Sequence, residues 1–426
     1  MKLTIEKSIY GGAGLARHEG KAIFVPFTLP GETVEASILH NKPAYAQAQL
    51  TQILTPSPHR VPPFCSHYNQ CGGCHYQHAA CEEQVRIKIA ILLESLQRAH
   101  IADIPAIEPI TAAPFGYRNR IRLHVQPAPF ALGYLRAQSH TVLPIRECPI
   151  AAPSLIRAAM LLQSECATQL ASWVREIELF TDPSTGALLI SVYAPAGTTH
   201  LPRKLNELWR MLQPLLPQAA GCAAFALPRG KGFPTLAVRA GADHLVYTVA
   251  GEPYQVSSGS FFQINHFLLE RMVAEVCQNR SGNLAWDLFA GVGLFARQLA
   301  HTFNHVVAAE AAPASVTDLR TNLPGHAIEP KTTLQFLREA ANDSSFATPD
   351  YIVLDPPRAG LGTEAANLLA NLRAPQVTYV SCDPATLSRD LAALLKSGYR
   401  LRKLALIDLF PQTFHLESIA HLSLAW

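Results

Sequence analysis

From about residue 255 onward, apolar strands alternate with amphipathic helices, and no other feature constrains the fold as much. Strands are read at 283–288, 306–309, 350–354, 377–381 and 404–409. A helix follows the first and reaches about His301; another spans 385–396. Parallel strands need crossovers of helical length, so the pattern predicts an α/β, doubly wound sheet. In such sheets ligands bind at the carboxyl ends of the strands.

Asp287-Leu288-Phe289-Ala290-Gly291-Val292-Gly293 ends the first of these strands and opens a helix. Glycines there let backbone approach a ligand at the helix N-terminus. Gly291, Gly293 and Ala296 also satisfy the dinucleotide fingerprint G-x-G-x-x-A, with Glu310 near the expected distance. A nicotinamide nucleotide therefore stays open on this segment, and Glu310 suits any adenosyl ligand with two ribose hydroxyls. A bland packed turn is the alternative. Downstream, Asp355-Pro356-Pro357-Arg358-Ala359-Gly360 ends another strand, which a dehydrogenase does not need. Enzymes that methylate exocyclic amines carry a similar Asp-Pro-Pro followed by an aromatic ring. Arg358 takes that place here and disfavours that chemistry.

Ser381-Cys382-Asp383-Pro384 follows the next strand. Pro384 suits a first helical turn and Asp383 its cap. Cys382 would then lie beside a helix N-terminus, which lowers a thiol pKa. A buried, inert cysteine is the default against which this reading stands. The segment 408–417 joins two strands that are expected to form an antiparallel hairpin at the sheet edge, with Glu417 turned back toward Cys382. A thiolate and a carboxylate are what C5 methylation of a pyrimidine requires. Addition of sulfur at C6 makes C5 nucleophilic, and a base must later remove the C5 proton. His415 is a weaker candidate for that base.

The N-terminal part differs. Residues 1–55 read as short strands broken by glycine and proline, fitting a small oligonucleotide-binding barrel. A proline-rich linker follows, then a helix at 81–100. Arg118, Arg120 and Arg122 alternate, so a strand would align all three on one face, read as an anion-binding surface. Residues 1–160 carry 15 basic and 10 acidic side chains, and the remainder 20 and 22. The slight positive excess is thus N-terminal, a modest footprint for a polyanion. No apolar run approaches the roughly 20 residues of a membrane helix, and the start lacks a signal-peptide core. An intracellular, cytoplasmic protein is expected. Of nine cysteines, Cys65, Cys71, Cys74 and Cys81 crowd together, a grouping better suited to metal than to disulfides in that compartment.

These motifs together resemble the RNA uridine-C5 methyltransferases nearly end to end. The resemblance implies a class I, Rossmann-like S-adenosylmethionine-dependent methyltransferase domain at 251–426. It also implies an N-terminal OB-like TRAM β-barrel at 1–56 and a central α+β iron–sulfur domain at 57–250, whose helix near 81–110 packs on the catalytic domain. Phe261-Phe262-Gln263-Ile264-Asn265 resembles the family's Gln-x-Asn segment. By resemblance Gln263, Phe289, Gly291, Gly293, Glu310 and Asp355 bind S-adenosylmethionine, Cys382 is the nucleophile, Glu417 is the proton-abstracting base, and Phe261 lines the base pocket. Leu294 stands where some members have a cofactor-contacting Asn.

Spacing alone leaves the cysteines divided between zinc and a cluster. Cys65-x5-Cys71-x2-Cys74, with Cys148 further on, resembles the [4Fe-4S] motif of the branch that acts on large-subunit ribosomal RNA. It implies those four ligands, with Cys81 as competitor for the fourth. The expected reaction is methylation of one uridine of 23S rRNA at C5. The T-loop uridine of tRNA is the nearest rival, and a non-catalytic iron–sulfur RNA-binding protein the alternative of another class. RNA is the expected partner of a monomer, with no DNA and no membrane.

Overall fold

Eight strands form the catalytic sheet, in the order Ala327–Glu329, Phe303–Ala309, Gly282–Leu288, Tyr351–Leu354, Gln376–Ser381, Ser418–Leu424, Tyr399–Ile407 and Ile107–Ile110. The computed structural model behind this description covers residues 1–230, 232–343 and 346–424. The first five strands are parallel, and Ser418–Leu424 is antiparallel to both neighbours. Strand order reverses between Gly282–Leu288 and Tyr351–Leu354, which makes the switch point where open α/β sheets bind ligands. Alternate residues feed two cores. Ala285, Val353, Val380 and Ile419 pack on one face, where the helix Leu269–Cys277 buries Met272 and Val276. Trp286, Ile352, Tyr379 and Leu422 pack on the other.

The hairpin is present but is not the sheet edge. Ile107–Ile110, from much earlier in the chain, pairs in parallel outside Tyr399–Ile407. Leu404 and Leu406 feed one core, Ala405 and Ile407 the other. A strand apolar on both faces makes a hazardous edge, and the extra strand covers it.

The helix Cys81–Arg98 lies on the same catalytic body. It buries Ile87, Ile91, Leu92 and Leu96 in the core that holds Leu391 and Leu394 of the helix Pro384–Lys396. Glu82 and Glu83 in its first turn and Arg98 in its last suit the helix dipole.

At the N-terminus six strands close on themselves. Lys2–Thr4 pairs with Thr33–Asn41, and Lys7–Ser8 pairs with Ala13–His18. Leu3, Ile5, Val25 and Val34 fill the barrel. Between the barrel and Gly282–Leu288 in sequence lies a seven-stranded sheet running from Val142–Pro144 to Thr235–Gly241. The helices Pro153–Glu165 and Leu201–Leu215 cover it. Phe180 stacks on Tyr247, and Phe262 meets both rings at an angle, joining this sheet to the catalytic body. No described helix is long and apolar enough to cross a membrane.

Candidate active site

The carboxyl ends of four parallel strands carry a line of acidic and sulfur-bearing side chains. The glycine turn comes first. Phe289 has φ 65°, left-handed for a residue with a side chain, and Gly291 and Gly293 follow at 57° and 90°. A Cβ on Gly293 would lie 2.7 Å from Leu319 Cδ1, so packing demands glycine there. Gly291 instead faces open space, which leaves its backbone accessible. Glu310 ties the turn to the next strand: its carboxylate accepts from Gly291 N at 2.9 Å and Ala312 N at 2.6 Å.

Beneath the turn Asp287 is fully buried, and Oδ2 accepts from Ala296 N at 2.8 Å. Its Oδ1 has no partner. Burial, with Asp355 and Glu310 nearby, pushes its carboxyl up to about 8. Asp355 accepts from Gln263 Nε2 at 3.1 Å, and burial pushes it up to about 7. Gln263 thus reaches the sheet from a segment outside it. The arrangement suits a ligand with hydroxyl or amino donors and a positive charge. Phe261 beside it is 62% exposed.

Cys382 and Glu417 meet on the far side of Asp355. Glu417 raises the proton affinity of Cys382, and both have Asp355 and Arg358 as neighbours. Burial, then Glu417 and Asp355, push the Cys382 thiol up to about 12, against the pull of Arg358. This overturns the expected lowering by a helix terminus. The free N–H groups of Pro384–Lys396 are already taken, because Asp383 Oδ1 accepts from Ala385 N and Thr386 N. Burial and Asp355 likewise hold Glu417 well above the usual carboxylate range, with Arg358 opposing. Arg358 faces both groups, and its Nη2 donates to His415 Nδ1 at 3.0 Å. Burial first, then surrounding cations, push His415 down to about 3, which makes it a poor base.

The loop carrying Glu417 is held by segments distant from it in sequence. Lys88, on the buried face of Cys81–Arg98, donates to Asp408 at 2.6 Å and to Phe410 O at 2.9 Å. Gln84 exchanges bonds with Gln412, whose carbonyl also accepts from His75 N and Tyr76 N. Tyr117 donates to Pro411 O and Asn265 to Leu409 O. From the barrel, Tyr10 donates to Cys382 O at 3.2 Å and sets its ring edge-on to Phe414. Sequence reasoning gave no site role to Tyr10, Lys88 or Arg358. A lone lysine on the apolar stripe of a helix was a visible signal for Lys88; Tyr10 offered none.

The cysteine segment separates its candidates. Cys65, Cys71 and Cys74 each sense the thiol of Cys148. Cys81 is exposed and instead takes Gln412 Nε2 at 3.8 Å. Among the described residues, no three His, Cys, Asp or Glu side chains gather tightly enough for one metal ion. The arginine face is also not as expected. Arg118 is half-buried and lies among Tyr117, Tyr134 and Cys148, its Nε without a partner among the described residues. Arg120 donates to Ser260 O and lies over Phe180; Arg122 pairs with Glu176 over Tyr193. Neighbouring strands thus neutralise the strip.

Residues 246–349 and 327–424 match the family model described as tRNA (Uracil-5-)-methyltransferase, and residues 1–51 match the TRAM domain. The 23S rRNA (uracil(1939)-C(5))-methyltransferase RlmD of Pectobacterium atrosepticum is 34% identical over 96% of this chain and 90% of its own. The chain belongs to the RNA uracil-C5 methyltransferase family. Another relative of this uracil-C5 methyltransferase, an uncharacterized RNA methyltransferase of Aquifex aeolicus, is 35% identical over 99% of this chain and 97% of its own. The Pyrococcus abyssi tRNA (uracil-54, C5)-methyltransferase, solved with S-adenosyl-L-homocysteine, superposes with a TM-score of 0.78. It covers 99% of this chain and all of its own at 22% identity, a likeness of fold.

Proposed function

We propose that the chain transfers the methyl group of S-adenosylmethionine to C5 of a uridine in 23S rRNA. The observation that carries this reading is the meeting of Cys382 and Glu417 over Asp355, beside the Gly291–Glu310 turn. Gln263, Phe289, Gly291, Gly293, Glu310 and Asp355 hold the methyl donor. The donor's sulfonium is positive, and so matches a pocket of raised carboxyls whose protons it helps to expel. The target base must leave its stack to reach these groups.

Cys382 releases its proton to solvent and, as the thiolate, adds to C6 of the uracil, with Glu417 ionised. The resulting enolate attacks the methyl carbon through C5, and the donor leaves as the neutral thioether. Glu417 then takes the C5 proton, and the C6–sulfur bond breaks to return the thiolate. Arg358 eases formation of each anion, since it opposes the raised proton affinity of both Cys382 and Glu417. Ribosomal RNA is favoured over tRNA because the 23S rRNA enzymes, from several bacteria, are 31–34% identical over nearly the whole chain.

Cys65, Cys71, Cys74 and Cys148 are assigned to a [4Fe-4S] cluster. Cys65, Cys71 and Cys74 all feel Cys148, which groups these four thiols and leaves Cys81 out. Gly73 N donates to Cys71 Sγ at 3.4 Å, and half-buried Arg118 brings a positive charge that suits an anionic group. Those two contacts and the exclusion of Cys81 support the fit. Four protein thiolates leave no iron open, so the group's role is structural.

Incubation with methyl-labelled donor and separated ribosomal and transfer RNA tests the reaction. Label is expected at C5 of one uridine in 23S rRNA. Transfer to tRNA alone would move the substrate, and transfer to neither would sink the catalytic reading.

A further inference from the structure

A line of rings, exposed at both ends and half-buried at Phe115 and His266, gathers three distant parts of the chain. Phe64 follows Pro62 and Pro63, both exposed, and is itself 68% exposed. Its ring meets Phe115 edge-on, with centroids 4.9 Å apart. Next to Phe115, Gly116 O accepts from His266 Nε2 at 3.1 Å. The His266 ring lies 3.9 Å from that of Phe267, which is 43% exposed. Burial holds His266 below its ordinary pKa, so its ring is neutral.

The line is rigid and fixed to the catalytic loop. Gly116 N donates to Pro149 O, His266 N to Tyr117 O, and Asn119 N to Ile264 O. Tyr117 and Asn265, between these rings in sequence, hold Pro411 and Leu409. The same segment begins at exposed Phe261. Apolar rings this exposed need a partner that covers them in part and stays wet around them.

We propose that Phe64, Phe115, His266 and Phe267 form a stacking strip for unpaired bases of the RNA that flank the target uridine. The inference rests on the uridine reading above and adds the part of the substrate that this face receives. Bases supply flat apolar faces to isolated rings, and their phosphates need cations nearby. Exposed Arg146 and Arg271 flank the strip. The acids beside them are occupied by backbone: Glu147 accepts from Ser66 N and Glu270 from Ala250 N. A protein partner would bury the rings together rather than one by one along a line.

The test is binding of fluorescein-labelled single-stranded oligouridylate to the full chain without donor. Phe64→Ala and Phe267→Ala are each expected to weaken binding on the order of ten-fold, and together by the product. Phe64→Trp and Phe267→Trp retain affinity, whereas Phe64→Leu loses it, because leucine keeps apolar area without an aromatic face. Unchanged binding in the alanine variants overturns the strip, as does full affinity in the leucine variant, which would indicate generic apolar contact. Binding of labelled S-adenosylmethionine stays unchanged in each variant and reports that the fold is intact. A wild type that methylates no RNA would sink the uridine reading, while the binding series tests the strip by itself.

Discussion

The two halves of the pocket are built in different ways. The donor half is local. Asp287, the glycine turn and Glu310 lie within 24 residues of one another, and Glu310 closes the turn on backbone N–H groups. The nucleophile half is assembled from afar. Lys88 and Gln84 reach the 408–417 loop across 320 and 328 residues, and Tyr10 reaches Cys382 across 372. A local half can bind its ligand whenever the sheet is folded. A half held by three other segments takes its shape only with barrel, cysteine segment and helix seated. On the proposed reaction, the chemistry is thereby coupled to those segments.

That contrast can be broken by separating the halves. Cys382→Ala should lower methyl transfer to background, on the order of 10⁴-fold or more, with donor binding intact by calorimetry. Lost donor binding would mean that the halves are one unit. Lys88→Met comes next. It strands Asp408 as an unpaired buried acid, a loss of about 3–5 kcal/mol. A fall in kcat beside an unchanged Kd for the donor is expected, read from steady-state rates and calorimetry. Glu310→Gln should do the reverse. It weakens donor binding by roughly ten- to a hundred-fold through loss of a charged acceptor, while oligouridylate binding holds.

The last test concerns Asp287 and acts on stability, with no expected change in rate. Its folded-state value, about 8, lies above its ordinary 3.8, so the folded chain binds the proton more tightly. Stability from this group is full below pH 3.8 and is lost as pH rises toward 8. Asp287→Asn keeps an acceptor for Ala296 N and should flatten that decline, as followed by thermal melts of the donor-free protein across the range.

The same contrast governs what the sequence disclosed. Strand–turn–helix order, the glycines and Glu310 are adjacent enough to be read, and the sheet follows the apolar periods. The Arg118, Arg120 and Arg122 alternation was real too, since Ile121, Leu123 and Val125 between and after them are buried. For Arg120 and Arg122 a free anion-binding face was not, because Glu176 and Glu178 lie on the strand paired beside them. Cross-strand register has no local signature. The Cys382 thiol was misjudged for a related reason. Its helix terminus is local, but burial among Glu417 and Asp355 depends on three strands and a loop. Tyr10 could not have been found, since nothing near Gly11-Gly12 indicates a cysteine 372 residues away.

The central claim is that Cys382 attacks the base and Glu417 releases it. Glu417→Gln separates the two steps, since addition and methyl transfer proceed while proton removal stalls. Incubated with 23S rRNA and S-adenosylmethionine, this variant should accumulate a denaturant-stable protein–RNA adduct, which peptide mass spectrometry maps to Cys382 with the methyl group already on the base. An adduct at another residue, or none while the variant still turns over, would contradict the account.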